Sequence, residues 1–230
     1  TATGYNKYNL YKEIFDLYSH FQTDSAQVYI CKMQQLPAYK TDVVMQATLH
    51  VAQAEIMAVS ALYAEALSEL DKVPQSLISS EHADLRLYYY RVKRALYGWM
   101  CTYYTKSSGQ HKLWEEKTMN YRDSLLSVDA IKNMSRDIVM ADKYNALRQP
   151  EKALKMLKPY SAQASEATPN PFVCFTLAHA YILSGNRTKA IHYLTLTAIA
   201  DLRSATCEYQ ALPMLAQILF DQGDVERAYT

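Results

Sequence analysis

The sequence predicts an all-α fold, a right-handed solenoid of consecutive helical hairpins. Three observations carry that prediction. Glycine (5) and proline (7) are scarce among 230 residues, which argues against a turn-rich all-β fold. Apolar residues recur at helical spacing, and no segment reads as a convincing strand. A small residue inside an apolar helix is followed twelve positions later by another alanine, at Ala54 and Ala66, Ala141 and Ala153, Ala178 and Ala190, and Ala216 and Ala228. Such a period marks a repeat array, in which each unit buries its apolar face on its neighbours.

Taken in order, "YNKYNLYKEIFDLYSHF" and "TDSAQVYICKMQQL" make the first hairpin, residues 4–36, with Thr23 or Asp24 placed to cap its second helix. Residues 41–73 form the second hairpin, around Ala54 and Ala66. Ala54 and Ala141 stand 87 apart, which leaves room for one divergent unit at 83–128. At about 100° per residue, its first helix places Leu85, Tyr88, Val92, Ala95, Leu96 and Trp99 on one face. Arg86, Tyr90, Lys93, Arg94 and Tyr97 fall on the opposite face. A loop at "TKSSGQHK" leads to a second helix near "LWEEKTMNYRDSLLSV". Residues 133–164 and 171–203 form the next hairpins, since Ala141, Ala178 and Ala216 are spaced by 37 and 38. Residues 208–230 open a sixth, incomplete hairpin, so the whole of 1–230 reads as one domain of five hairpins and a truncated sixth. A solenoid that stops there leaves an apolar face uncapped, and the expectation is that the chain is part of a longer protein.

The punctuation of each unit has a physical reason. Three residues after the first alanine comes a large side chain, Met57, Tyr144, Tyr181 or Leu219, on the same helix face one turn on. Five residues before the second alanine the helix breaks, at Ala61, Arg148, Gly185 and Gly223. The two glycines can take the left-handed conformation that ends a helix, and Pro150 suits the first turn of a new one. Small-then-large in the first helix, followed by Ala-x3-Leu in the second (Ala66 with Leu70, Ala153 with Leu157, Ala190 with Leu194), resembles the tetratricopeptide repeat. The chain departs from that motif in lacking its tryptophan and in having a longer period.

Composition excludes several function classes. The net charge of +1 offers no global attraction for nucleic acid or an anionic membrane. No apolar run reaches the roughly 18 residues of a membrane span, and the N-terminal "TATGYNKYNLYKEI" lacks the form of a signal peptide. Cys31, Cys101, Cys174 and Cys207 are widely spaced and read as small buried hydrophobes, not as a disulfide or zinc framework. The six histidines contain no pair with metal-binding spacing, and Cys174 and His179 lie about 140° apart around a helix. Nucleophile elbows, phosphate loops and dinucleotide fingerprints are absent from the sequence. Neither an enzyme nor a cofactor or metal site is expected.

Binding is the remaining role. In stacked hairpins the first helices line a concave surface, and the residues just after each small alanine are polar: Glu55, Asp142, His179 and Gln217. Arg94 is the counterpart in the divergent unit, with Arg86, Tyr90 and Tyr97 beside it. These eight residues are the candidate ligand groove, suited to an extended peptide or a partner's helix, with a second copy of the chain as another candidate partner. The basic and aromatic face of 85–99 admits two other readings, solvated surface and nucleic-acid contact, and the near-neutral chain disfavours the latter.

The run "HYLTLTAIADLRSATCEYQALPMLAQILFDQGDVERAY", with "YKEIFDLYSHFQTDSAQVYICKM" near the start, resembles the repeat region of a family of Bacteroidetes transcriptional regulators. The resemblance spans essentially the entire chain, most specifically at "AIADLRSAT". It implies a signal sequence before the repeats, a single membrane helix after them, and then a cytoplasmic coiled coil and DNA-binding output domain. This chain would then be the sensor part on the periplasmic side of the inner membrane, attached only through flanking segments and making no nucleic-acid contact itself. Two alternatives stand beside it: a freestanding, cytoplasmic repeat adaptor that scaffolds a complex, and a helical glycan-binding lipoprotein.

Overall fold

The computed structural model describes residues 2–165, 167, 169–204 and 210–229, and among them twelve α-helices and no strand. The chain divides into two compact units, 1–131 and 132–230. In the first unit the helices are α1 (Ala2–Tyr18), α2 (Thr23–Gln34), α3 (Val43–Val59), α4 (Tyr63–Asp71), α5 (Ala83–Thr102) and α6 (Gly109–Leu126). The second unit holds α7 (Asn133–Ala146), α8 (Pro150–Leu157), α9 (Pro171–Leu183), α10 (Arg187–Arg203), α11 (Ala211–Asp221) and α12 (Val225–Tyr229). In both units each odd helix packs on the even helix that follows it. Further packing joins α3 to α2 and α5 in the first unit, and α9 to α7 and α8 in the second.

Paired alanines make this packing close. Ala54, Ala66, Ala141, Ala153, Ala178 and Ala190 are all 0% exposed, so each pair lets two helix backbones approach where a larger side chain would hold them apart. The leucine one turn after each second alanine, Leu70, Leu157 and Leu194, is also 0% exposed. In the last pair, Ala216 and Ala228 are half-buried. Buried clusters then form around these sites, one spanning α3 to α5 and another α7 to α10.

The turns within four of the hairpins share one geometry. Ala61 (φ 60°), Arg148 (φ 55°), Gly185 (φ 75°) and Gly223 (φ 82°) are all left-handed. The residue after each, Leu62, Gln149, Asn186 or Asp224, donates its N–H to the carbonyl of Met57, Tyr144, Tyr181 or Leu219, at 2.8 to 3.0 Å. The left-handed residue itself donates to the carbonyl one position later, those of Ala58, Asn145, Ile182 and Phe220. This doubly bonded C-terminal cap satisfies two carbonyls that a helix end leaves without partners. Alanine and arginine therefore fill positions where glycine would be unstrained.

Starts of helices follow side-chain chemistry in part. Asp42 Oδ1 accepts the N–H groups of Val44 (3.0 Å) and Met45 (2.9 Å) at the start of α3. Asn170, Asn186 and Ser108 cap α9, α10 and α6 in the same way. Pro150 occupies the first turn of α8. The cap of α2 differs from expectation: Gln22 is its N-cap and makes no side-chain bond, while Thr23 and Asp24 already lie inside the helix. Asp24 still favours that first turn, by placing negative charge at the positive end of the helix dipole.

Candidate functional site

The polar position after each small alanine meets different surroundings in the two units. In the second, Asp142 on α7 and His179 on α9 are half-buried, and Gln217 on α11 is exposed. His179 lies against Phe175, with ring centroids 4.8 Å apart, and the Gln217 amide donates to Asp221 at 2.8 Å. Helices α7 and α9 pack on each other, and so do α10 and α11.

Glu55 departs from the expected open groove. It is 5% exposed, because neighbours satisfy its carboxylate. Tyr88 donates to Oε2 at 2.5 Å, Arg91 donates to Oε1 at 3.0 Å, and His20 Nε2 stands 3.5 Å away. Burial, the largest influence, pushes the Glu55 pKa up, but the hydrogen bonds from His20 and Tyr88 and the charges of Arg91 and His20 outweigh it and hold the carboxyl below its ordinary value. The same contact pushes the Tyr88 hydroxyl well above its ordinary range, by burial first and by the Glu55 charge second. A carboxylate inside the apolar run "VAQAEIMAV" was the sequence signal for such partners, since a buried charge without them is costly. What sequence could not supply was their identity. Tyr88 read as part of an apolar face, and Arg91 belonged to neither set.

The basic and aromatic face of α5 is also covered. Tyr97 is 5% exposed and stacks between Trp114 (5.7 Å) and Tyr121 (5.6 Å) of α6, so it forms helix–helix interface where the sequence placed an open groove. Lys93 is buried as well, its Nζ 5.3 Å from the centre of the Tyr89 ring and 3.8 Å from Asp71. Arg86 donates to the Ser127 carbonyl at 3.1 Å and closes the C-terminal end of α6. Tyr90 and Arg94 are half-buried, and the Tyr90 ring lies 5.9 Å from that of Tyr121. The physical cause is the hairpin: the first helix must pack on its own second helix as well as on the preceding pair.

His111 lies 3.3 Å from the Cys101 sulfur, but its Nδ1 also faces the carbonyls of Cys101 (3.0 Å) and Tyr104 (3.2 Å), the geometry of a ring capping a helix end. Burial pushes the Cys101 thiol up, opposite to what a nucleophilic thiolate needs. Burial likewise raises the Cys174 thiol to about 11. Cys31 is exposed, against the expectation of a buried hydrophobe, and Cys207 lies outside the described residues. Among the described residues no cluster of three or more histidines, cysteines and acids could hold a metal, and no helix is long and apolar enough to cross a membrane.

Repeated hairpins with buried small residues, shared turn geometry and polar positions on the first helices define an all-α tetratricopeptide-type binding module. More particularly, the chain belongs to the family described as the SusR N-terminal TPR domain, whose model matches residues 1–230. That confirms the resemblance carried by the sequence, including the tetratricopeptide character of the repeats. A search of curated proteins finds no match.

Proposed function

We propose that this chain is the sensor part of a membrane-anchored regulator of transcription, a repeat module that binds a protein or peptide on the periplasmic side of the inner membrane. Tetratricopeptide domains in general mediate protein interaction, and the family's description as an N-terminal domain supports a place within a longer protein. The observation that carries the binding surface is the recurrence of Asp142, His179 and Gln217, half-buried or exposed, at repeat spacing on the first helices of the second unit. Polar groups kept partly accessible in this way can hydrogen-bond a ligand without the cost of burying them unpaired. A ligand held there shifts the array between two arrangements only by its differential affinity for them.

The test is quantitative crosslinking capture with the tagged chain, using Asp142→Ala with His179→Ala as the variant. Capture of a specific protein or peptide should fall about tenfold, equivalent to about 1.4 kcal/mol, with helical circular dichroism unchanged. Equal capture by both forms would remove the surface from these helices. Absence of any saturable partner would remove the binding function.

A further inference from the structure

We propose a second docking surface on the unit 132–230: a notch between α8 and the α9–α10 hairpin that takes an acidic peptide segment anchored by one apolar side chain. The inference rests on the peptide-binding reading above and adds to it a different site and a partner chemistry. The notch measures about 370 Å³. Leu157 and Leu177, 0% and 5% exposed, form its floor. Leu154, Tyr181 and Tyr193 form its walls, and the two tyrosine rings stack in parallel at 5.5 Å with only 2° between their planes. The walls are half-buried, so apolar surface that the neighbouring helices could have covered stays open to solvent.

Charge selects the partner. Lys155 and Lys158 are exposed at the rim, and no acidic residue lines the notch. Neither lysine has a carboxylate partner among the described residues. A third cation, Lys189, sits 5.0 Å over the Tyr181 ring and 3.5 Å from its hydroxyl. Lys155 and Lys158 lie in the last turn and at the C-cap of α8, where the helix dipole favours positive charge. That favour accounts for their sign but not for the open apolar wall beside them. An aliphatic or aromatic anchor fills the wall, and flanking glutamates or aspartates meet the rim. The site is separate from the groove candidates: Leu177 and Tyr181 each lie two residues from His179, about 200° around α9, and so project from the opposite face.

Fluorescence anisotropy of the whole chain with a short labelled peptide, a central phenylalanine flanked by glutamates, tests the proposal. Saturable binding is expected, weakened by added salt because exposed charges are screened. Lys155→Glu with Lys158→Glu should weaken it at least about tenfold, and replacing the peptide's phenylalanine by serine should abolish it. Asp142→Ala with His179→Ala should leave it unchanged. The proposal is overturned if the charge-reversed chain, checked for fold by circular dichroism, binds as well as wild type. Equal binding of a lysine-flanked control, or displacement of the peptide by a thymidine oligonucleotide at equal affinity, overturns it as well. Failure of the acidic peptide alongside successful partner capture in the previous experiment sinks this surface only. Failure of both sinks the binding reading itself.

Discussion

Glu55 shows how a single residue can be read correctly as polar and wrongly as exposed. Its carboxylate ties α3 to Tyr88 and Arg91 of α5 and to His20 just beyond α1. Glu55→Leu leaves the buried Tyr88 hydroxyl without its acceptor and should cost about 2 kcal/mol in urea denaturation. Tyr88→Phe should cost about 1.5 kcal/mol, the usual worth of a hydrogen bond to a charged group. The pH dependence has a definite sign. A carboxyl held below its ordinary value when folded contributes stability above its unfolded pKa, and that contribution is lost as pH falls through the folded pKa. The gap between wild type and Glu55→Gln should therefore be full near neutrality and close as the pH drops through and below the usual carboxylate range. A gap that stays constant across that titration would refute the pairing.

The first helix of four hairpins closes on a left-handed residue, and only two of those four turns use glycine. Ala61 and Arg148 are exposed, so replacing either by glycine removes no packing and relieves the left-handed strain. Ala61→Gly and Arg148→Gly should each raise stability by about 0.5 to 1 kcal/mol, measured by thermal unfolding. The reverse change, Gly185→Ala, should lower it by about 1 kcal/mol. A Cβ at that position would meet nothing within 4 Å, so the cost is conformational and not steric. Twelve-residue spacing made all four breaks visible in the sequence, because the bonds that define the turn run between fixed offsets. The cap of α2 was less legible. Thr23 and Asp24 have the right chemistry, yet backbone geometry puts the start of the helix one residue earlier, and side-chain preference cannot resolve so small a shift.

At the scale of the whole molecule, stability in a repeat array is carried by each repeat and its neighbours. In the second unit, one buried cluster runs from Ala141 to Leu196 and another from Ala178 to Ala211. Ala141→Leu should overpack the first and cost about 2 kcal/mol. Amide hydrogen exchange should then accelerate most in α7 to α10 and least in α11 and α12. Uniform acceleration through α12 would instead mark the unit as a single cooperative block. Ala216→Leu, at a half-buried site, should cost less than 1 kcal/mol by the same measurement.

Sequence alone determined the helical class, the hairpin punctuation, the buried alanine pairs and the family, because each depends on spacing along one chain and on the volume of one side chain. Tertiary structure decided which polar residues are reachable. The α5 face carrying Tyr97 and Lys93 has the pattern of a solvated or ligand-facing surface, yet α6 lies over it. Glu55 has the same local pattern as Asp142, yet partners from two other segments enclose it. The notch beside α8 is likewise assembled from side chains of three helices that no single period connects. Exposure depends on what other segments bring to a residue, and helical periodicity describes only the segment that carries it.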